Sequence, residues 1–115
     1  MAKEAKDAKD ALKEFRKGST DIIVLKMLDE QAMYGYQIAS ELNKRSEGYF
    51  EFKQGTLYPA LHRLEEVGLV RGRWGDEELE GPRRKYYYIT DEGRQSLKTL
   101  TQEWKTFTDK LGSLL

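Results

Sequence analysis

The sequence predicts a mainly α-helical protein that carries a two-stranded β-hairpin and ends in a long helix. Three observations support this fold class. Apolar residues at helical spacing precede a glycine and a short strand between residues 55 and 70. A strand that opens with bases follows an acidic turn near residue 83. Residues 91–115 carry an uninterrupted heptad pattern.

Length and composition indicate a single small domain. The 115 residues are 38% hydrophobic and 35% charged, with a net charge of zero, which suits one modest core. No apolar run approaches the ~20 residues that span a bilayer, and the amino terminus lacks the apolar segment of a signal peptide. With no cysteine and one histidine, disulfides and metal sites are not expected. We expect a cytoplasmic protein without a cofactor and without membrane contact.

The first part of the chain is predicted to form two helices. Residues 3–31 have helical spacing, either continuously or with a break near Gly18, where Ser19 or Thr20 would cap a new helix. The second helix is expected from Tyr34 to Arg45. The first helix carries an apolar seam that steps by three and four residues, namely Ala5, Ala8, Leu12, Phe15, Ser19 and Ile22.

A third helix is predicted from Gln54 to Val67, after an aromatic linker. Leu57, Leu61 and Leu64 share one face of this helix, so that face is expected to be buried. Gly68 supplies the left-handed residue that often ends a helix. The opposite face is polar and carries Pro59, His62, Arg63 and Glu66, with Thr56 and Tyr58 on its flanks.

Two predicted strands, Leu69–Trp74 and Arg84–Thr90, form a hairpin around an acidic turn. Three bases lie where the second strand begins, at Arg83, Arg84 and Lys85. A helix with a polar outer face, followed by a hairpin with basic residues at its turn, is typical of a winged helix-turn-helix, which binds duplex DNA. The zero net charge counts mildly against nucleic-acid binding, so the local clustering of these bases carries the inference.

The last predicted helix is amphipathic, with Thr90 or Asp91 as its N-cap. A small domain has little surface to cover its apolar stripe, so we expect a second copy of the chain to pair with it across a two-fold axis. We therefore expect a DNA-binding domain with an N-terminal helical extension at residues 1–90 and a dimerisation helix at 91–115. The stripe consists of Leu97, Leu100, Trp104, Phe107, Leu111 and Leu114.

Several short motifs resemble those of the PadR family of bacterial transcriptional regulators. The resemblance covers about residues 20–110 and is to the short branch, which has a single C-terminal dimerisation helix. It implies a homodimeric winged-helix protein, usually a repressor, that a small effector releases from its operator. The motifs are Tyr34-Gly35-Tyr36, Gly55-Thr56-Leu57-Tyr58-Pro59, Gly68-Leu69-Val70, Arg83-Arg84-Lys85-Tyr86-Tyr87, and Thr90 with Gly93.

The third helix and the hairpin supply the expected DNA contacts to a pseudo-palindromic double-stranded operator. Arg63 is the best candidate for guanine or phosphate, because its planar fork binds bidentately. The hairpin bases suit a phosphate or the minor groove. Any of these residues could instead be an ordinary solvated side chain. The full set is Tyr36, Gln54, Thr56, Tyr58, Pro59, His62, Arg63, Arg83, Arg84 and Lys85.

Trp104 has two interpretations, which the sequence leaves open. It could simply pack in the dimer seam. In multidrug-sensing members of the family, paired tryptophans at this place stack on flat drugs, and the resemblance implies an effector pocket here that also includes Ala8, Leu12, Phe15 and Thr108. Thr101 and Thr108 stand where those members carry an aromatic residue and an acid, so we expect a flat, apolar effector rather than a cationic drug.

The sequence also bears on two other classes of function. A winged-helix module that binds proteins and no DNA is compatible with the zero net charge. An enzyme is not expected, because the sequence contains no nucleophile–base pair, glycine-rich phosphate loop or set of metal ligands. The operator, the regulated genes, the effector and the direction of regulation are not determined by the sequence.

Overall fold

The computed structural model describes residues 18–75 and 83–115. The predicted fold class is confirmed, since helices dominate and the strands form one small sheet. The expected helix at residues 3–17 and the acidic turn at 76–82 lie outside the described residues. In chain order the elements are α1 (residues 18–30), β1 (Met33–Tyr34), α2 (Gly35–Arg45), α3 (Gln54–Glu66), β2 (Val70–Trp74), β3 (Lys85–Ile89) and α4 (Asp91–Leu114).

The sheet has three antiparallel strands in the order β1-β3-β2, and the predicted hairpin is its β2–β3 part. The additional strand β1 pairs with β3 through Met33 opposite Tyr87 and Tyr34 opposite Tyr86. A two-residue strand carries no periodic signal, so only its partner strand defines it. Consequently α2 begins at Gly35 rather than at Tyr34, and Tyr34 is an extended N-cap.

The inner faces of the helices form the core against this sheet. The predicted buried face of α3 is confirmed, because Leu57, Leu61 and Leu64 are each at most 2% exposed. Their partners in the core come from α1, α2 and the strands, and include Val24, Leu25, Ile38, Met33, Val70 and Tyr87. None of the helices within 18–75 and 83–115 has both the length and the apolar composition needed to cross a bilayer.

The carboxyl end of α3 turns directly into β2. Gly68 has φ +82, which confirms the predicted left-handed residue. The N–H of Gly68 donates to the carbonyl of Glu65 (3.1 Å), and the N–H of Leu69 donates to the carbonyl of Leu64 (2.9 Å). These two hydrogen bonds form a Schellman motif, which satisfies carbonyl groups at the end of α3. The hairpin therefore follows α3 without an intervening loop.

The amino end of α4 is fixed to the sheet. Thr90 is the N-cap, since its Oγ1 accepts the N–H of Gly93 (3.0 Å) and donates to the carbonyl of Gly68 (2.7 Å). Gly93 lies so close to the residue before β2 that a Cβ there would come closer than 3.0 Å to the carbonyl oxygen of Leu69. Leu97 is 7% exposed. Leu100 also packs against the core. The first three turns of α4 therefore belong to the core, and the rest of α4 extends beyond them.

Candidate nucleic-acid interface

The amino-terminal half of α3 presents exposed polar and aromatic side chains. Gln54, Thr56 and Pro59 are exposed, and Tyr58 is 44% exposed. No side chain caps this end of α3, no acid lies in its first turn, and Lys53 is the N-cap residue. The first residues of α3 are exposed, so the positive end of the helix dipole faces solvent, where it favours an anion such as phosphate.

The helix pair α2 and α3 packs closely beside this end. A Cβ on Gly35 would lie 2.5 Å from the hydroxyl oxygen of Tyr58, so the absence of a side chain at residue 35 lets the tyrosine lie on α2. Tyr36 follows and is 74% exposed. No acid lies in the first turn of α2. Two helix amino termini without acidic residues thus flank Tyr58.

The wing, by which we mean β2, β3 and the adjoining Arg83 and Arg84, carries cations held against aromatic rings. The guanidinium of Arg84 lies 4.5 Å from the ring centroid of Tyr34, and that of Arg83 lies 5.6 Å from the ring centroid of Trp74. Nε of Arg83 also donates to the carbonyl of Gly75 (3.3 Å). Both arginines are exposed. The two guanidinium groups are therefore oriented by the aromatic rings.

Lys85 differs from the two arginines. Its Nζ lies 3.3 Å from Oε1 of Glu65 on α3 and 5.4 Å from the ring centroid of Tyr87. Burial raises the pKa of Tyr87, the positive charge of Lys85 opposes that rise, and the negative charge of Glu65 adds to it. The three predicted basic residues are thus brought together, but Lys85 already faces a carboxylate.

A cleft of about 620 Å³ lies between the wing and the two helices. Cations beside aromatic walls make it attractive to a polyanion. Tyr34 and Trp74 were not among the predicted site residues. Trp74 follows Arg73 in the predicted strand, and an aromatic residue beside a base is a signal that could have identified it. Tyr34 has no basic neighbour in the sequence. The cleft is lined by Tyr34, Gly35, Tyr36, Tyr58, Trp74, Arg83, Arg84, Lys85 and Tyr87.

Arg63 and His62 are exposed on the outer face of α3, as predicted, together with Pro59 and Glu66. Arg63 forms an ion pair with Asp21 on α1, and its side chain is 52% exposed. His62 Nε2 lies 3.4 Å from Oε1 of Glu66. Both residues belong to the carboxyl half of α3, away from the end that contacts base edges in helix-turn-helix proteins.

The predicted stripe on α4 becomes more exposed toward its carboxyl end. Leu97 is buried and Leu100 and Trp104 are half-buried, while Phe107, Leu111 and Leu114 are 50%, 38% and 82% exposed. The rings of Trp104 and Phe107 are 5.6 Å apart. Of the other predicted effector residues, Thr108 donates its Oγ1 hydrogen to the carbonyl of Lys105 (3.1 Å). Ala8, Leu12 and Phe15 lie outside the described residues.

Metal ligation has no structural support in the described part of the chain. Within residues 18–75 and 83–115, no three histidine, cysteine, aspartate or glutamate side chains are grouped so that they could hold a metal ion.

Known proteins are similar to this chain in both sequence and fold. The sequence model of the PadR-like family of transcriptional regulators matches residues 24–99. An uncharacterised protein of Lysinibacillus sphaericus is 38% identical over 88 residues, which are 76% of this chain and 80% of that protein. Residues 24–99, which the family model matches, include α2, α3, the wing and the start of α4.

Two solved structures show the same arrangement. A PadR family transcriptional regulator from Eggerthella lenta is similar with a TM-score of 0.84 and 30% identity, covering 99% of this chain and 96% of that one. A transcriptional regulator from Clostridium thermocellum has a TM-score of 0.80 and 32% identity, covering 87% and 93%. These proteins are regulators of transcription and not enzymes. The chain therefore belongs to the PadR-like family of transcriptional regulators.

Proposed function

We propose that this chain is a homodimeric repressor that binds a pseudo-palindromic operator and is released from it by a small effector. Because the chain belongs to the PadR-like family, it is a DNA-binding regulator of transcription. The observation that carries the proposal is the exposed amino end of α3, without a side-chain cap, beside a wing that presents Arg83 and Arg84. Such a protein acts where bacterial DNA is, in the cytoplasm.

The amino end of α3 enters the major groove in this proposal, and the wing reaches the adjacent backbone or minor groove. Gln54, Thr56 and Tyr58 are the side chains nearest to base edges, since they occupy the first turns of α3. Tyr36, Pro59 and His62 border them, and Arg83 and Arg84 bind phosphates. Arg63 can contact DNA only if its ion pair with Asp21 breaks.

The exposed stripe on α4 supports the dimer. A helix of 24 residues is about 36 Å long at 1.5 Å per residue, so most of it extends past the core that its first turns join. Pairing of two such helices would cover Phe107, Leu111 and Leu114. It would also place two DNA-binding domains on one duplex, with half-sites one helical turn of DNA (~34 Å) apart. Residues 1–90 then form the DNA-binding domain and 91–115 the dimerisation helix.

The effector site is proposed at the dimer centre, as the resemblance to multidrug-sensing members of the short branch implies. Trp104 is half-buried with Phe107 beside it, which provides a ring surface for a flat apolar molecule. A ligand there releases the operator only if it binds the DNA-free arrangement more tightly. Tenfold release needs about 1.4 kcal/mol of coupling, which is comparable with one aromatic stack.

The test is selection of bound duplexes from a random DNA pool, followed by titration of the selected operator at several salt concentrations. Arg84→Ala should weaken binding to all sequences and reduce the slope of log affinity against log salt by about 0.9. Arg94→Ala is a matched control, because it removes one arginine that is paired with Asp29 and Asp91. Failure to select any duplex at low salt would instead favour a protein-interaction module.

A further inference from the structure

We propose that Glu65 is a positioning residue that holds the wing in a fixed place relative to α3, with Lys85 as its partner rather than as a DNA contact. The inference rests on the proposed function, because it concerns how the two DNA-binding elements are kept in register. Glu65, Gly72 and Lys85 together are called the wing clamp below.

One carboxylate connects α3 to both strands of the wing. Oε1 of Glu65 lies 3.3 Å from Nζ of Lys85 on β3, and Oε2 accepts the N–H of Gly72 on β2 at 3.0 Å. The two charged side chains are 31% and 30% exposed, so solvent screens this pair less than a fully exposed one. A helix residue that contacts both strands at once resists both rotation and sliding of the wing.

Gly72 makes the space in which the other two residues meet. A Cβ at residue 72 would come closer than 3.0 Å to Cε of Lys85 and would lie 3.0 Å from Oε2 of Glu65. Gly72 is on β2, an edge of the three-stranded sheet, and its N–H is bonded to Glu65 rather than to a neighbouring strand. The wing clamp therefore also satisfies a donor of the sheet edge.

The ammonium group of Lys85 contacts protein groups in this arrangement rather than being directed toward DNA. Its ammonium contacts the carboxylate of Glu65 and lies over the ring of Tyr87, the residue opposite Gly72 in the sheet. Arg83 and Arg84 are exposed at the end of the wing. The wing clamp fixes their distance from the amino end of α3 before DNA arrives, and such preorganisation lowers the cost of binding.

The decisive variant is Glu65→Gln, because the two possible roles of Glu65 predict opposite changes in operator affinity. If Glu65 acted only through its charge, its removal near a polyanion would tighten operator binding. The wing clamp predicts weaker binding by about three- to tenfold, since a bond to a charged group is lost while the side-chain shape is kept. Glu66→Gln is the matched control, because Glu66 is adjacent, 66% exposed and contacts His62 rather than the wing.

Lys85→Gln separates a positioning role from a phosphate contact. We expect weaker binding with an unchanged salt slope, whereas a phosphate contact would reduce the slope by about 0.9. The double variant Glu65→Gln/Lys85→Gln should bind no more weakly than the weaker single variant, because both remove the same interaction. Gly72→Ala, which changes no charge, should weaken binding by displacing the flexible end of Lys85.

A readout without DNA distinguishes this proposal from the proposed function. In the free protein, Glu65→Gln should accelerate solvent exchange of the Gly72 N–H, measured by NMR, while Glu66→Gln should not. If the wild type binds no duplex, the proposed function fails, and this exchange rate alone decides the wing clamp. Unchanged Gly72 exchange in Glu65→Gln, or operator binding as tight as that of Glu66→Gln, would overturn the proposal.

Discussion

Gly93 allows a sharp test of how α4 is attached to the DNA-binding head. A glycine inside a helix usually costs about 1 kcal/mol relative to alanine, so helix propensity alone predicts that Gly93→Ala stabilises the protein. The structure predicts the opposite, because a Cβ at residue 93 would lie 2.7 Å from Cγ1 of Ile89 and still closer to the carbonyl oxygen of Leu69.

The expected destabilisation by Gly93→Ala depends on how little Leu69 and Ile89 can move. The contact with Ile89 must widen from 2.7 Å to the 3.4 Å at which ordinary contacts begin. The carbonyl of Leu69 is backbone, and it also accepts the N–H of Thr90 at 3.1 Å. Overpacking of this kind costs about 1–3 kcal/mol, and the fixed backbone places Gly93→Ala at the upper end. After the gain in helix propensity, we expect a net loss of about 1–2 kcal/mol.

The assay is urea unfolding at a fixed protein concentration, since pairing of chains would make apparent stability depend on concentration. Gly112→Ala is the control in the same helix, because a Cβ at residue 112 meets nothing within 4 Å. We expect Gly112→Ala to raise the free energy of unfolding slightly. If Gly93→Ala is as stable as the wild type or as Gly112→Ala, the close approach of α4 to Leu69 is wrong.

Three further outcomes are expected. Leu111→Glu should give monomers in sedimentation, because pairing would bury an unpaired charge at a cost of several kcal/mol, and a stable dimer would contradict the proposed interface. Trp104→Ala should abolish tight binding of flat dyes but keep operator affinity, whereas unchanged dye binding would leave Trp104 as a packing residue. Asp21→Asn should free Arg63 and steepen the salt slope of operator binding by about 0.9. Asp29→Asn removes an equal charge from α1 but should not steepen the slope, and equal behaviour of the two variants would exclude Arg63 as a DNA contact.

Local patterns in the sequence predicted the helices well. The spacing of Leu57, Leu61 and Leu64 indicated the buried face of α3, and Gly68 indicated where that helix ends. Such signals are available because residues within a few positions of each other determine a helical face and its cap. Of the two possible caps of α4, Thr90 is the N-cap, because its Oγ1 accepts the N–H of Gly93. The additional bond that Thr90 donates to the carbonyl of Gly68 has no signal in the sequence.

The chemistry of the site was predicted as a set of residue types, but not as a set of contacts. The bases Arg83, Arg84 and Lys85 are adjacent in sequence and appeared equivalent, yet only Lys85 lies against a carboxylate of α3. Arg63 was predicted on the polar face of α3 as a DNA contact, and in the structure it is paired with Asp21, 42 positions earlier. Neither pairing has a local signature, because each depends on which faces of two separate elements meet.

The sequence by itself therefore determined the helices within the described residues, the hairpin and the residue types of the candidate DNA-binding face, since all of these follow from short-range periodicity and composition. The tertiary structure alone decided that Met33–Tyr34 is a strand, that Gly93 must lack a side chain and that Glu65 connects α3 to the wing. The reason is physical. These three features arise from contacts between elements distant in sequence, and their distances are set by how the helices pack on the sheet rather than by the residues nearby.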